Sequence, residues 1–262
     1  MKKSTKKKLL YLVFILIMAV SGVFLYLEST KQEEEPEIYS QPFLSEIDVK
    51  EEDLVTEHVE KDVIKMSPDV DLAAERKKYN NPYIVGRVEI PNLFNVLIVQ
   101  SDDNDFYLKH DIKRNYDIRG TEFLDYRVNY KANQLNIYGH NTRDPKIKVP
   151  FHKLENFLDK KFAEENKYII YQHDGGKDVY KIVAMKQVYN DKKHDSPEHM
   201  RVNLKGEAFV NHIKTMITGN GVEFSRDVPF DENSKVIVLQ TCSHDWSDGD
   251  AVYTIVGIKI DY

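Results

Sequence analysis

Apolar and polar positions change rhythm several times along this chain. Residues 9–27 do not alternate at all: nineteen residues pass without a charge, enough for a helix that crosses a bilayer. Residues 28–44 are acidic and interrupted by Pro36 and Pro42, the pattern of a solvated spacer that repels itself and stays extended. Over residues 45–79 Ile47, Leu54, Val55, Val59, Val63 and Ile64 recur at three- and four-residue steps, which predicts one or two N-terminal helices. Asn80, Asn81 and Pro82 end them, because a residue before proline is pushed out of the α region. From residue 80 to 262 the rhythm shortens. Runs at 84–90, 95–100, 134–138, 167–172, 179–189, 235–239 and 253–260 are rich in Val, Ile and Tyr and bounded by Gly, Pro, Asn or Asp, as strands are. Seven or eight such strands without long alternating helices favour a closed, mainly β barrel over a parallel α/β sheet. One helix interrupts them at 203–218, where Phe209, Ile213, Met216 and Ile217 mark an apolar face and Gly219-Asn220-Gly221 a stop.

Charge gives the chain a direction. Five lysines stand in the first eight residues, while Glu28, Glu33, Glu34 and Glu35 follow the apolar run. The positive-inside rule then makes residues 1–8 a cytoplasmic tail, 9–27 a single-pass transmembrane anchor, and the remainder extracellular. Ala19, Val20, Ser21 and Gly22 could pass for the cleavage site of a signal peptide, yet the apolar run continues through 23–27, which favours an uncleaved anchor. Of the formal −6, residues 33–62 carry twelve acids against Lys50 and Lys61. Residues 63–262 are nearly neutral, without the basic patch that a nucleic-acid partner requires.

A single cysteine, Cys242, rules out an intramolecular disulfide. It closes the strand-like run Val236-Ile-Val-Leu-Gln-Thr-Cys242, and far upstream Asn136-Ile-Tyr-Gly-His140 ends a second run in an imidazole. A thiol is a useful nucleophile when its thiolate is populated, and an imidazole can favour the thiolate and protonate a leaving amine. A lone cysteine is equally at home as a small buried hydrophobe. His244 competes with His140 for the role of base, since it stands two residues after Cys242. His194, Glu198 and His199 lie in a charged stretch without recognised ligand spacing, which reads as a solvated loop and supplies no metal site. No cofactor is implied. Because His140 precedes Cys242 by about a hundred residues, the order is opposite to that of papain-type hydrolases.

Leu239-Gln-Thr-Cys242 after its Val-Ile strand resembles the Thr-Leu-x-Thr-Cys signature of sortases, transpeptidases that join proteins to Gram-positive cell walls. Asp117-Ile-Arg-Gly-Thr-Glu-Phe-Leu-Asp-Tyr-Arg127, followed by Asn136-Ile-Tyr-Gly-His-Asn141, is similar to the stretch that leads to the family's histidine, most of all in class B. Val85-Gly-Arg-Val-Glu-Ile-Pro91 is similar to its first strand, and the helix ahead of the cysteine strand also fits class B. The matches cover residues 80–262 in the right order. The resemblance implies an eight-stranded sortase-type barrel with N-terminal helices. It also implies Cys242 as nucleophile and His140 as general acid/base. The implied partners are a surface protein or pilin bearing a C-terminal sorting motif, cut after its threonine, and an amine on peptidoglycan precursor or a pilin lysine.

One family feature has no counterpart. Sortases carry an arginine on the strand after the cysteine, where this chain offers Val252 or Tyr253, and no arginine follows Arg226. Either Tyr253, His244 or an arginine from a neighbouring segment replaces it, or the chain is a weak or inactive scaffold that binds sorting signals or pilins. Thr241 could orient substrate or simply favour the strand, and Asn104, between two aspartates, could reach substrate or form a turn. Trp246 could wall a cleft or pack beneath the loop after the cysteine, while Arg127 and Arg143 are expected to pair with surface carboxylates.

Overall fold

The computed structural model describes residues 39, 41–59, 62–142, 144, 146–189, 200–219, 222–242 and 251–262, and at positions 59, 189 and 242 the description is of the backbone. The compact domain is Pro42–Tyr262. The apolar run at 9–27 lies outside the described residues, and no described helix is long and apolar enough to cross a membrane.

The first elements depart from the helical expectation. Strands β1 (Val55–Val59) and β2 (Asp62–Met66) pair antiparallel, and among the described residues of 45–79 only α1 (Leu72–Tyr79) is an α-helix. Val55, Val59, Val63 and Ile64 satisfy a helical and an extended spacing equally well. What decides is burial with period two, for Ile64 and Met66 are buried while Val63 stands 59% exposed. The boundaries of α1 follow local chemistry. Asp71 caps it by accepting the N–H groups of Ala73 and Ala74 at 2.9 and 3.1 Å, and Asn80 ends it in the left-handed region with φ of 50°.

Beyond α1 the sheet closes on itself. β3 (Ile84–Ile90) pairs antiparallel with β4 (Phe94–Val99), β4 parallel with the short β5 (Phe123–Leu124), and β5 antiparallel with β6 (Gln134–Tyr138). On its other edge β3 pairs with β7 (Tyr168–His173), which forms a hairpin with β8 (Gly176–Tyr189). The fourteen residues of β8 are long enough to hold a second neighbour. Beyond Val179 it pairs with β11 (Ala251–Ile260), which returns through β10 (Val236–Cys242) to β6. Eight strands thus form a barrel, and β9 (Val222–Ser225) adds to the edge of β8. The strands foreseen at 84–90 and 134–138 have the observed bounds.

Alternation on β10 sorts its side chains. Ile237 and Leu239 enter the barrel core with Val88, Ile98 and Ile137, whereas Val236 and Val238 face outward beneath α3 (Gly206–Thr218). That helix buries Phe209, Ile213, Met216 and Ile217 on them, worth about 2 kcal/mol for each fully buried side chain. A 3₁₀ segment (Pro150–Leu158) and α2 (Lys160–Glu165) plug one end of the barrel with Phe151, Leu154 and Phe157. The acidic spacer foreseen up to residue 44 ends in contact with the barrel: Ile47 N–H donates to Asn95 O at 2.7 Å, Leu97 N–H to Ser45 O at 2.9 Å, and Leu44 packs with Leu97 and Tyr107.

Candidate active site

β6 and β10 run parallel, and their register pairs Gln240 with Tyr138. Gly139 N–H then donates to Gln240 O at 3.1 Å, so the ladder continues past the last strand residue of β6. Cys242, the last residue of β10, and His140, two residues past the end of β6, stand the same two positions beyond the Tyr138–Gln240 pair, and neighbouring strands lie about 5 Å apart. A thiol-bearing position and an imidazole-bearing position therefore occupy adjacent strand ends.

Two side chains brace that junction. Thr241 Oγ donates to Gly139 O at 2.9 Å, tying the residue before the cysteine to the residue before the histidine. Gly139 has no room for more: a Cβ there would meet Phe151 at 2.6 Å and Glu122 at 3.0 Å. Thr241 is buried, which places its hydroxyl in this brace rather than in a cleft.

The imidazole of His140 is half-buried, and its Nε2 lies 2.6 Å from the Leu108 carbonyl oxygen. A carbonyl only accepts, so Nε2 carries the hydrogen and Nδ1 is the nitrogen left for proton exchange in the neutral ring. The next residue, Asn141, fastens the chain to the 3₁₀ segment, donating to Glu155 Oε1 while its Oδ1 accepts from His152 Nδ1 at 2.6 Å. These anchors had no sequence signature apart from Asn141's place in the motif, since a backbone carbonyl is contributed by every residue type.

A buried polar network lies behind the end of β6. Tyr138 Oη donates to Asp125 Oδ2 at 2.8 Å, and Arg127 grips the same carboxylate with Nε and Nη2 at 2.9 and 2.6 Å. Burial opposes ionisation of Asp125, but the bonds from Arg127 outweigh it and hold the carboxyl below its usual range. Arg127 thus pairs with a fully buried carboxylate, not the surface one expected. Asn104 belongs to the same network: its Nδ2 donates to Asp125 Oδ2 at 3.1 Å and its Oδ1 accepts Tyr126 N–H at 3.1 Å. Both ends of the amide brace the loop before Phe106 to the turn after β5, so of the two roles foreseen for Asn104 these bonds match the structural one.

Glu122 is another functional-looking group that sequence reasoning passed over. It is 1% exposed, receives Ser45 Oγ at 3.4 Å, and burial pushes its carboxyl up to about 8. It packs behind Gly139, in the segment that leads from β6 to His140.

Other candidates do not converge. Tyr253 lies fully buried inside the barrel among Tyr171, Ile182 and Ile255, closed off from substrate, because its position on β11 has inward parity. Val252 is the direct cross-strand partner of Cys242. The position facing the cysteine therefore carries an aliphatic side chain. His194, Glu198, His199, His244, Trp246 and Arg143 lie outside the described residues.

No family model matches the chain. In sequence it is 27% identical over 147 residues to sortase B of Listeria monocytogenes and 26% identical over 176 residues to sortase B of Staphylococcus aureus, covering 55% and 64% of this chain. The matches span 56% and 66% of those relatives, less than two thirds of either length. In structure it superposes on a mutant form of Clostridium perfringens sortase B with a TM-score of 0.62 at 24% identity, covering 72% of this chain and 88% of that one. Sequence and barrel topology agree: the chain is similar to class B sortases, and its fold is the sortase fold.

Proposed function

We propose that the chain is a membrane-anchored cysteine transpeptidase acting outside the cell, with residues 9–27 as the anchor. The observation that carries this reading is the register of β6 and β10, whose ends bring positions 140 and 242 side by side. In the reaction the thiol of Cys242 gives its proton to His140, and the sulfur attacks the carbonyl carbon of the threonine in a sorting motif. Collapse of the tetrahedral intermediate expels the amine of the next residue, which takes the proton from His140. An incoming amine, from a cell-wall cross-bridge or a pilin lysine, then loses a proton to His140 and displaces the sulfur. The developing oxyanion is met by backbone N–H groups near the cysteine, about 3 kcal/mol for one well-placed donor.

The full chain in detergent, incubated with a panel of sorting-motif peptides with and without an amine, tests this. A mass adduct on Cys242 that disappears in Cys242→Ala is expected. An adduct that survives Cys242→Ala overturns the nucleophile. His140→Ala should slow acylation by about a hundredfold or more with the fold intact, and an unchanged rate would transfer the role of base to His244.

A second reading has one observation in its favour, the Val252 side of the Cys242 pair. On that reading the chain binds sorting-signal segments or pilins with little or no turnover. Binding of a motif peptide without any adduct, across the whole panel, is the result that would select it.

A further inference from the structure

We propose that Gly120 is a positioning residue that sets the tautomer of His140 by letting the Leu108 carbonyl approach the imidazole. This rests on His140 as general base. The segment from Phe106 to Thr121 folds back on itself, with Thr121 N–H donating to Tyr107 O at 2.9 Å and Asp117 N–H to Lys109 O at 3.0 Å. Its return depends on Gly120, whose φ of +63° is a region that L side chains enter at a cost. The turn is pinned by Gly120 N–H donating to Asp117 O at 2.9 Å and by the buried ion pair of Arg119 with Asp117 at 2.8 Å.

Conformation is only half of the constraint. A Cβ at Gly120 would lie 2.4 Å from Tyr107 O, 2.9 Å from Leu108 O and 3.1 Å from His140 Cδ2. Two of those three atoms are backbone, which cannot swing aside as a flexible side chain would. The third is a ring carbon of the histidine itself. A methyl group inserted here wedges between the Leu108 carbonyl and the imidazole, and the 2.6 Å bond to Nε2 is the contact it opens. Once that acceptor withdraws, the neutral ring is free to carry its hydrogen on Nδ1 instead, which removes the lone pair needed to take the thiol proton.

The test uses the full chain labelled with ¹⁵N-histidine. Nitrogen chemical shifts of the neutral His140 ring should show the hydrogen on Nε2 in the unsubstituted protein and a mixture of both tautomers in Gly120→Ala. Acylation of Cys242 at saturating peptide should fall about 10- to 100-fold in Gly120→Ala with little change in KM, the pattern of a misplaced reacting group. Gly120→Asn separates the two halves of the constraint, because Asn tolerates a positive φ but still carries a Cβ. It should lose the tautomer preference as Gly120→Ala does. A folded Gly120→Ala that keeps both the Nε2 hydrogen and the rate overturns the proposal, as does recovery of both in Gly120→Asn. If neither variant folds, the unsubstituted protein decides, since a His140 with its hydrogen on Nδ1 is incompatible with the proposal. Absence of any acylation in the unsubstituted protein, together with the expected tautomer shift, would leave the positioning intact and refute the transpeptidase reading instead.

Discussion

Replacing Glu122 by Gln should make the domain more stable at neutral pH and remove part of its pH dependence. The carboxyl is buried, with Ser45 Oγ at 3.4 Å and the Glu46 carboxylate nearby opposing ionisation, and its pKa rises from 4.5 to about 8. A carboxyl whose folded pKa lies above its unfolded one contributes its full stability below pH 4.5 and loses it as pH rises to the folded value. Across that window the unfolded chain has released the proton and the folded chain has kept it, so stability falls by about 1.4 kcal/mol for each pH unit. The whole loss between 4.5 and about 8 is then about 5 kcal/mol, and at pH 7 about 3 kcal/mol. Glutamine matches the shape and does not titrate. Its second amide hydrogen needs a partner in the same pocket, which offsets about 1 kcal/mol. Urea unfolding of both proteins at pH 5, 6, 7 and 8 gives the difference directly, and other titrating groups cancel in it. The variant should gain on the unsubstituted protein steadily from pH 5 to pH 8. Parallel stability curves over that range would refute a neutral buried Glu122.

Other substitutions probe the junction and the far end of the barrel. Val252→Arg places a guanidinium on the residue opposite Cys242, and an increase in the acylation rate would mean that a cation is the missing member of the site; a rate that does not rise refutes that. Thr241→Val removes the hydroxyl that donates to Gly139 O and should cost about 1–2 kcal/mol in urea unfolding, with no change as the refuting result. Asp178 accepts Lys259 Nζ at 2.6 Å and lies 3.4 Å from His173 Nε2. Burial opposes its ionisation, but bonds from His173 and Lys259 outweigh this and hold the carboxyl well below its usual range, so its contribution is present above pH 3.8 and lost as pH falls further. Asp178→Asn should therefore cost about 2 kcal/mol at pH 7, moderated by the partial exposure of the lysine, and the difference should shrink toward pH 2. A difference that persists at pH 2 would show a packing effect instead.

What could be read in advance depended on whether a residue's own side chain carried the signal. The strands at 84–90 and 134–138 were legible as short β-type runs between turn residues, buried on both faces, and the apolar face of α3 because burial there follows a helical period over a full element. Hairpin β1–β2 was not, since Val55, Val59, Val63 and Ile64 fit both periods and only contact with Tyr168 and Ile170 chooses between them. β5 has two residues, too few to show any period. Near the site the same rule holds. His140 was visible as a residue type at a strand end, whereas the Leu108 carbonyl that orients it is backbone, and Gly120 matters through what it lacks. The placements of Asn104 and Tyr253 were hidden for a related reason: the first is held by Asp125 from another segment, and the second is inward by a parity that only the register of β11 reveals.

The register that joins the strand ends also limits which arginine could serve the proposed site. Cys242 is paired with Val252, and among the described residues the arginines near the end of β6 are already committed to buried carboxylates, Arg119 to Asp117 and Arg127 to Asp125. Withdrawing either would strand a buried carboxylate, a cost of about 3–5 kcal/mol and comparable to the gain from one oxyanion donor. Arg226 is no freer, since Nη1 donates to Ile182 O at 2.6 Å and Nη2 to Ala163 O beside α2. Recruiting one of these three would thus return little net stabilisation. Turnover without a cation would rest on backbone N–H groups and on the fixed tautomer of His140, which makes the positioning of that ring by Leu108 and Gly120 more consequential here than in a site that also holds an arginine.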